Sequence, residues 1–157
     1  MEKLIIKKFQ KGQEESIFKL IKKVYDEFVA KDYSEEGNQF FYDWINPDKI
    51  LERQKSQVNL LVALQDSQII GMIEIRENIN ISLLFVDQEF HGQGIAKRLF
   101  KEALQMVIQR DSTIKKLYVH ASPYSIPIYE KLGFVETDTL QENNGIKYLP
   151  MEMRVRN

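Results

Sequence analysis

Leu83-Leu84-Phe85-Val86-Asp87-Gln88-Glu89-Phe90-His91-Gly92-Gln93-Gly94-Ile95-Ala96-Lys97 is the stretch whose reading decides the fold. An apolar run ends at Val86, a polar turn follows, and after two glycines the spacing becomes helical. Gly92 and Gly94 leave the backbone bare, so a ligand can come close to the amides. The first amides of a helix lack internal partners and carry partial positive charge. Such a junction suits an anion such as phosphate. Neither common nucleotide motif fits. There is no Gly-Lys-Ser/Thr, and Lys97 stands where a dinucleotide-binding turn has its third glycine. A Gly-x-Gly between strand and helix also serves as a plain tight connection, and on these residues alone both readings stay open.

Working outward, Ile79 to Val86 is apolar apart from Asn80 and Ser82, the pattern of a central strand buried on both faces. Gln68 to Glu77 alternates, with Gly71, Ile73 and Ile75 on one face and Met72, Glu74 and Arg76 on the other. Val58 to Gln65 reads as the strand before it, joined by a turn at Asp66-Ser67. Beyond the glycines, a helix over about 92–110 buries Ala96, Leu99, Phe100, Ala103 and Val107. It feeds a strand from Ile114 to His120, and strand–helix–strand implies a right-handed crossover with parallel pairing. Ser125 to Leu132 is a short helix stopped by Gly133. Phe134 to Leu140 and Ile146 to Val155 read as strands around Asn143-Asn144-Gly145, where Asn-Gly signals a hairpin.

The first third of the chain is a strand and helices. Leu4 to Phe9 is the strand. Gln13 to Lys31 is a helix with Ile17, Leu20, Ile21, Val24, Tyr25 and Phe28 on one face. Lys19, Lys22, Lys23, Asp26 and Glu27 form its solvated face. Asp32 to Gly37 breaks the pattern, and Phe40-Phe41-Tyr42-Asp43-Trp44-Ile45 is the densest aromatic cluster. Asn46-Pro47 opens a further helix to Ser56. The sum is a mixed α/β sheet with helices on both faces.

A chain of 157 residues is expected to form one domain, 1–157, with a real core. Its 22 basic and 23 acidic residues nearly cancel, so no basic excess points to nucleic acid or anionic membranes. With no cysteine, neither a disulfide nor a thiol nucleophile is available. The two histidines, His91 and His120, make no metal-ligand cluster. The stretch from Met1 to Lys8 has no signal-peptide core, and no apolar run approaches the ~20 residues that span a bilayer. The expectation is a cytoplasmic protein, monomer or homodimer, with no metal.

The quoted turn resembles the acetyl-CoA loop of the GNAT family, the GCN5-related N-acetyltransferases, which reads Arg/Gln-x-x-Gly-x-Gly/Ala. Gly94 and Ala96 match its end, and His91 takes the place of the usual Arg or Gln. A second block, Val119 to Phe134, resembles the family's strand and short helix ending Tyr-x-x-x-Gly-Phe, through Tyr129, Gly133 and Phe134. The resemblance implies a mostly antiparallel central sheet with one parallel strand pair, the fourth and fifth, splayed at the active site. It implies acetyl transfer from acetyl-CoA to an amine of a small molecule or protein, by direct attack in a ternary complex. Gly92, Gln93, Gly94, Ile95, Ala96 and Lys97 would then hold the pyrophosphate through their amides, with His91 a further cofactor-binding residue of the loop. Leu84, Phe85 and Val86 would pair with the pantetheine arm, and Ser122 falls where the family often has a cofactor-contacting Asn. Tyr129 matches the general acid. Glu74 and His120 are candidate bases, beside a water relay, because the amine must attack unprotonated. Two other readings remain: a non-catalytic acyl-CoA sensor, and an interaction module whose glycine turn is only structural.

Overall fold

Period-two runs and two-residue turns build the sheet, and helical runs cover both its faces. The computed structural model describes residues 3–57, 59–77 and 79–155. Val58, the expected start of the second strand, and Met1 and Glu2 of the N-terminal stretch lie outside the described residues. The chain runs β1 (Leu4–Lys8), α1 (Glu14–Phe28), α2 (Glu35–Trp44), α3 (Pro47–Arg53), β2 (Leu60–Gln65), β3 (Gln68–Arg76) and β4 (Asn80–Val86). It continues with α4 (Ile95–Arg110), β5 (Lys116–Ala121), α5 (Ile126–Leu132), β6 (Val135–Glu136), β7 (Gln141–Asn143) and β8 (Ile146–Arg154).

The strands lie in the order β1-β2-β3-β4-β5-β8-β6, with β7 paired to β8. Neighbours are antiparallel except β4 and β5, which run parallel as the intervening helix requires. At the β2–β3 turn, Asp66 and Ser67 have φ of 52° and 65°, the left-handed pair whose twist matches that of the strands it joins. Asn144 and Gly145, at 53° and 80°, make the same turn between β7 and β8. A side chain on Gly145 would strike Ser34 Oγ.

One break in register shapes everything that follows. Glu74 stands opposite Leu83 and Ile75 opposite Ile81, so Ser82 has no cross-strand partner. A bulge of this kind bends the strand that carries it. β4 and β5 pair only at Asn80–Tyr118 and Ile81–Val119. Past the bulge the two strands are no longer paired, and a seam opens in the middle of the sheet.

Helices seal both faces. Leu99, Phe100, Ala103 and Val107 of α4 pack with Ile73, Ile75, Leu117 and Val119 on one side. Ile17, Ile21 and Val24 of α1 and Ile50 of α3 pack with Leu60, Val62 and Met72 on the other. Burying each large apolar side chain is worth roughly 1.5–3 kcal/mol. That packing, more than helix propensity, holds the helices in place.

Several boundaries differ from the sequence reading, each for a local reason. α4 starts at Ile95, not Gly92, because Gly94 is its left-handed N-cap at φ 77°. Ile95 is then the buried member of the first turn, and Ala96 is half-buried. α2 begins at Glu35, inside the expected break, because Ser34 Oγ accepts a hydrogen bond from Gly37 N at 3.0 Å. Gly37 sits in the helix because a side chain there would meet the Gly145 carbonyl. The expected strand from Phe134 to Leu140 shrinks to β6. Its next partner would be Pro150, which has no N–H to donate, although Thr137 N still donates to Pro150 O at 3.0 Å. Lys23 is not simply solvated, since its ammonium lies 3.0 Å from Asp87 Oδ2.

Candidate functional site

The glycine turn is held rigid at its base. Asp87 N donates to Ile70 O on β3 at 2.8 Å. The Asp87 carboxylate accepts from Glu89 N at 3.0 Å and from Lys23 Nζ at 3.0 Å. Burial alone would raise the Asp87 carboxyl, but the Glu89 amide and the Lys23 ammonium outweigh it and hold it below the usual value. A one-turn 3-10 helix, Gln88–Phe90, leads to His91, whose Nε2 lies 2.7 Å from Val86 O.

Above this base the turn is open. Gly92 and Gly94 have φ of 80° and 77°, which favours glycine. A methyl built on either would meet nothing within 4 Å among the described residues. α4, sixteen residues long, begins with no side-chain cap and no acid in its first turn. Its leading amides are therefore free to bind an anion, and Lys97 and Arg98 add positive charge beside them.

A cleft of about 230 Å3 runs along this junction. Leu84 and Val86 line it from the strand, His91, Gly92 and Gly94 from the turn, and Ile95 and Ala96 from the helix. Gln93 and Lys97 are exposed and do not line it, while Phe85 faces the neighbouring cavity. Val86 turns its carbonyl towards His91 on the open side of β4, so by strand alternation Leu84 presents its backbone to the same side. That edge, a free helix terminus and apolar walls fit the parts the resemblance asks of an acetyl-CoA site: amides for the pantetheine, amides for the pyrophosphate, and a dry trough.

A second cavity, of about 90 Å3, meets the first at Leu84 and Tyr124 and lies in the seam between β4 and β5. Tyr129, His120, Ser122 and Ser82 line it. Tyr129 is only 5 % exposed, with its ring edge-on to Phe134 at 5.5 Å. Burial pushes its phenol well up, so it stays protonated. Gly133, left-handed at φ 108°, ends α5 and fixes the Tyr129 backbone, whose carbonyl accepts from Phe134 N at 3.0 Å. Its hydroxyl has no partner among the described residues.

His120 is stacked on Tyr148 at 4.4 Å. The ring is exposed at the rim of the cavity; partial loss of hydration there first, and the nearby Arg76 charge second, lower its proton affinity from the ordinary 6.5. Its ring is therefore neutral at pH 7. Ser122 lines the cavity, but its hydroxyl is engaged locally, accepting from Ser125 N at 3.3 Å and donating to Ser125 Oγ at 2.9 Å.

Glu74 stands apart from the cavity. It is 2 % exposed, where a strand-face carboxylate is ordinarily solvated. Arg53 Nε reaches its two oxygens at 3.3 and 3.1 Å, Gln54 Nε2 donates at 2.5 Å, and Ser82 Oγ donates at 3.0 Å. A buried carboxylate with this many donors is held in one place. It reaches the cavity only through Ser82, the bulge residue.

Two site residues escaped the sequence reading. Tyr124 lines both cavities and stacks on Phe28 of α1 at 4.8 Å. Ser82 lies at the branch of the seam; a hydroxyl inside an apolar strand was the available sign. Among the described residues no group of three or more His, Cys, Asp or Glu could hold a metal, and no helix is long and apolar enough to cross a membrane.

Comparison with known proteins points one way. The acetyltransferase (GNAT) domain family matches residues 29–155. An uncharacterized N-acetyltransferase of Methanocaldococcus jannaschii is 34 % identical over 77 residues, which are 48 % of this chain and 34 % of that relative. The match thus spans about a third of the relative's length. A GCN5-related N-acetyltransferase of Rhodopseudomonas palustris superposes with a TM-score of 0.82 at 18 % identity, covering 99 % of this chain and 98 % of its own. The PaiA N-acetyltransferase of Thermoplasma acidophilum, solved in complex with coenzyme A, gives 0.78 at 22 % identity, covering 98 % and 99 %.

Proposed function

The chain belongs to the acetyltransferase (GNAT) family, and from that membership we propose that it transfers the acetyl group of acetyl-CoA to a primary amine by direct attack in a ternary complex. The observation that carries this is the seam itself. An unpaired β4 edge runs from an uncapped helix terminus to a buried, protonated tyrosine. The coenzyme A complex of the Thermoplasma acidophilum neighbour supports the same choice of ligand. We read residues 1–157 as one acetyltransferase domain.

Acetyl-CoA supplies the activated acyl group. The amides of the Gly92–Lys97 turn and helix start hold the pyrophosphate, and the Leu84–Val86 edge pairs with the pantetheine amides. His120, neutral at pH 7 and facing the cavity, takes the proton of the attacking nitrogen. As the new C–N bond forms and the C–S bond breaks, Tyr129 Oη supplies the proton to the leaving sulfur. Glu74 fits this scheme as the buried side chain that orients the Ser82 hydroxyl, because its own oxygens are occupied.

The test is ligand binding followed by turnover. A ligand at 100 times its dissociation constant stabilises a fold by about 2.7 kcal/mol, so saturating acetyl-CoA is expected to raise the melting temperature by several degrees. Adenosine alone should do far less. No shift at millimolar acetyl-CoA overturns the reading. Binding without release of CoA from any amine in a broad panel leaves the chain a sensor.

A further inference from the structure

The Tyr129 cavity does not end at the reacting centre. A pocket of about 270 Å3 shares Ile81, Ser82 and His120 with it and extends to Arg76, Trp44 and Phe40. If acetyl-CoA enters from the glycine turn, the acceptor is left this opposite end.

The pocket's charge is one-sided. Arg76 is exposed on its wall and forms no ion pair with any described residue. Among the described residues no carboxylate lines this pocket or the Tyr129 cavity. Glu74, two residues earlier on β3, is buried and tied to Arg53, Gln54 and Ser82, so it offers nothing to a bound cation. The Trp44 ring lies 3.9 Å from the Arg53 guanidinium and 5.8 Å from that of Arg76, so the indole helps to keep Arg76 beside the pocket. The field of Arg76 also reaches the reacting centre, since it helps to lower the proton affinity of His120.

An acceptor with a second ammonium group would meet an unneutralised guanidinium here, with no acid to receive it. An acceptor with a carboxylate would find a planar, forked donor that matches it. Phe40, 58 % exposed, and Trp44 add an aromatic wall. Resting on the acetyl-transfer reading above, we propose that the acceptor is an amine that also carries a carboxylate, paired with Arg76 while its apolar part lies on Trp44 and Phe40. The carboxylate can be that of a free amino acid or a more distant one on a larger molecule, and the probes separate the two.

The experiment uses matched pairs: L-tryptophan with tryptamine and L-phenylalanine with phenethylamine, plus tryptophan amide, glycyl-tryptophan and spermidine. Binding to the CoA-saturated protein is measured by calorimetry, and turnover by CoA release. The carboxylate member of a pair is expected to win in kcat/KM by about 10- to 100-fold, the range set by one charge-assisted hydrogen-bonded pair. Arg76→Gln should erase that advantage by raising KM for the carboxylate member. Arg76→Glu should favour the amines and spermidine. Preference for glycyl-tryptophan over tryptophan places the recognised carboxylate farther from the amine. The proposal is overturned if no carboxylate probe binds better than its decarboxylated partner. It is equally overturned if spermidine is preferred, or if Arg76→Gln leaves the discrimination intact. Failure of acetyl-CoA to raise the melting temperature strikes instead at the acetyl-transfer reading, and the two failures are seen in separate measurements.

Discussion

Replacing Tyr129 by Phe deletes one oxygen and keeps the ring against Phe134. The hydroxyl bonds to no described residue, so the melting temperature should stay close to wild type. The effect belongs in the chemistry. We expect kcat to fall roughly 10- to 1000-fold, with KM for acetyl-CoA almost unchanged, because the proton is needed as the sulfur departs. Wild-type turnover in a stable Tyr129→Phe protein would remove the phenol from the mechanism. His120 makes a different, pH-dependent claim. Its folded proton affinity is lower than the unfolded 6.5, so the unfolded chain takes up the proton first as pH falls. Its contribution to stability is therefore complete above pH about 6.5 and is lost as pH drops through the folded value. Activity should follow the neutral ring, with kcat/KM declining on an acid limb centred below 6.5. Arg76→Gln should move that limb upward, part of the way to 6.5, because the partial desolvation of the ring remains. A limb that persists in His120→Gln would assign the base elsewhere.

At the scale of elements, the glycine turn is the junction to test. Gly94 is left-handed at φ 77° with open space beside it, so Gly94→Val brings both strain and bulk to the start of α4. The helix itself is anchored by Leu99, Phe100, Ala103 and Val107. We expect a far-UV spectrum like wild type and acetyl-CoA affinity reduced about tenfold or more, read by calorimetry, since a branched side chain at positive φ displaces the amides it flanks. Unchanged affinity would make the turn a mere connection. This junction was legible because its signals are local: an apolar strand, two glycines and a helical repeat lie within one short stretch. The hairpin at Asn144–Gly145 was legible for the same reason. The bulge at Ser82 was not, because it is a property of how β3 and β4 count against each other. Nor was the burial of Glu74, which depends on Arg53 and Gln54 of another element arriving over it. The expected long strand after Phe134 failed on a partner, Pro150, that only the fold puts opposite it.

At the scale of the whole molecule, a seam through the middle of a sheet has a cost beyond catalysis. Unpaired strand edges are templates on which other chains add, and proteins usually confine them to the rim and guard them there. Beyond Ile81, β4 is paired on one side only, and the row of Leu84 and Val86 is apolar. A bound pantetheine arm would occupy that row. Without it, the protein carries an interior edge open to a strand from a second copy. Warmed at high concentration, the ligand-free protein is expected to scatter light earlier than the CoA-bound protein, by more than the shift in melting temperature accounts for. Equal scattering at equal distance below each melting point would show the edge to be harmless. On that expectation the substrate would double as protection against misassembly, and a fall in acetyl-CoA would both slow the reaction and thin the pool of protein able to resume it.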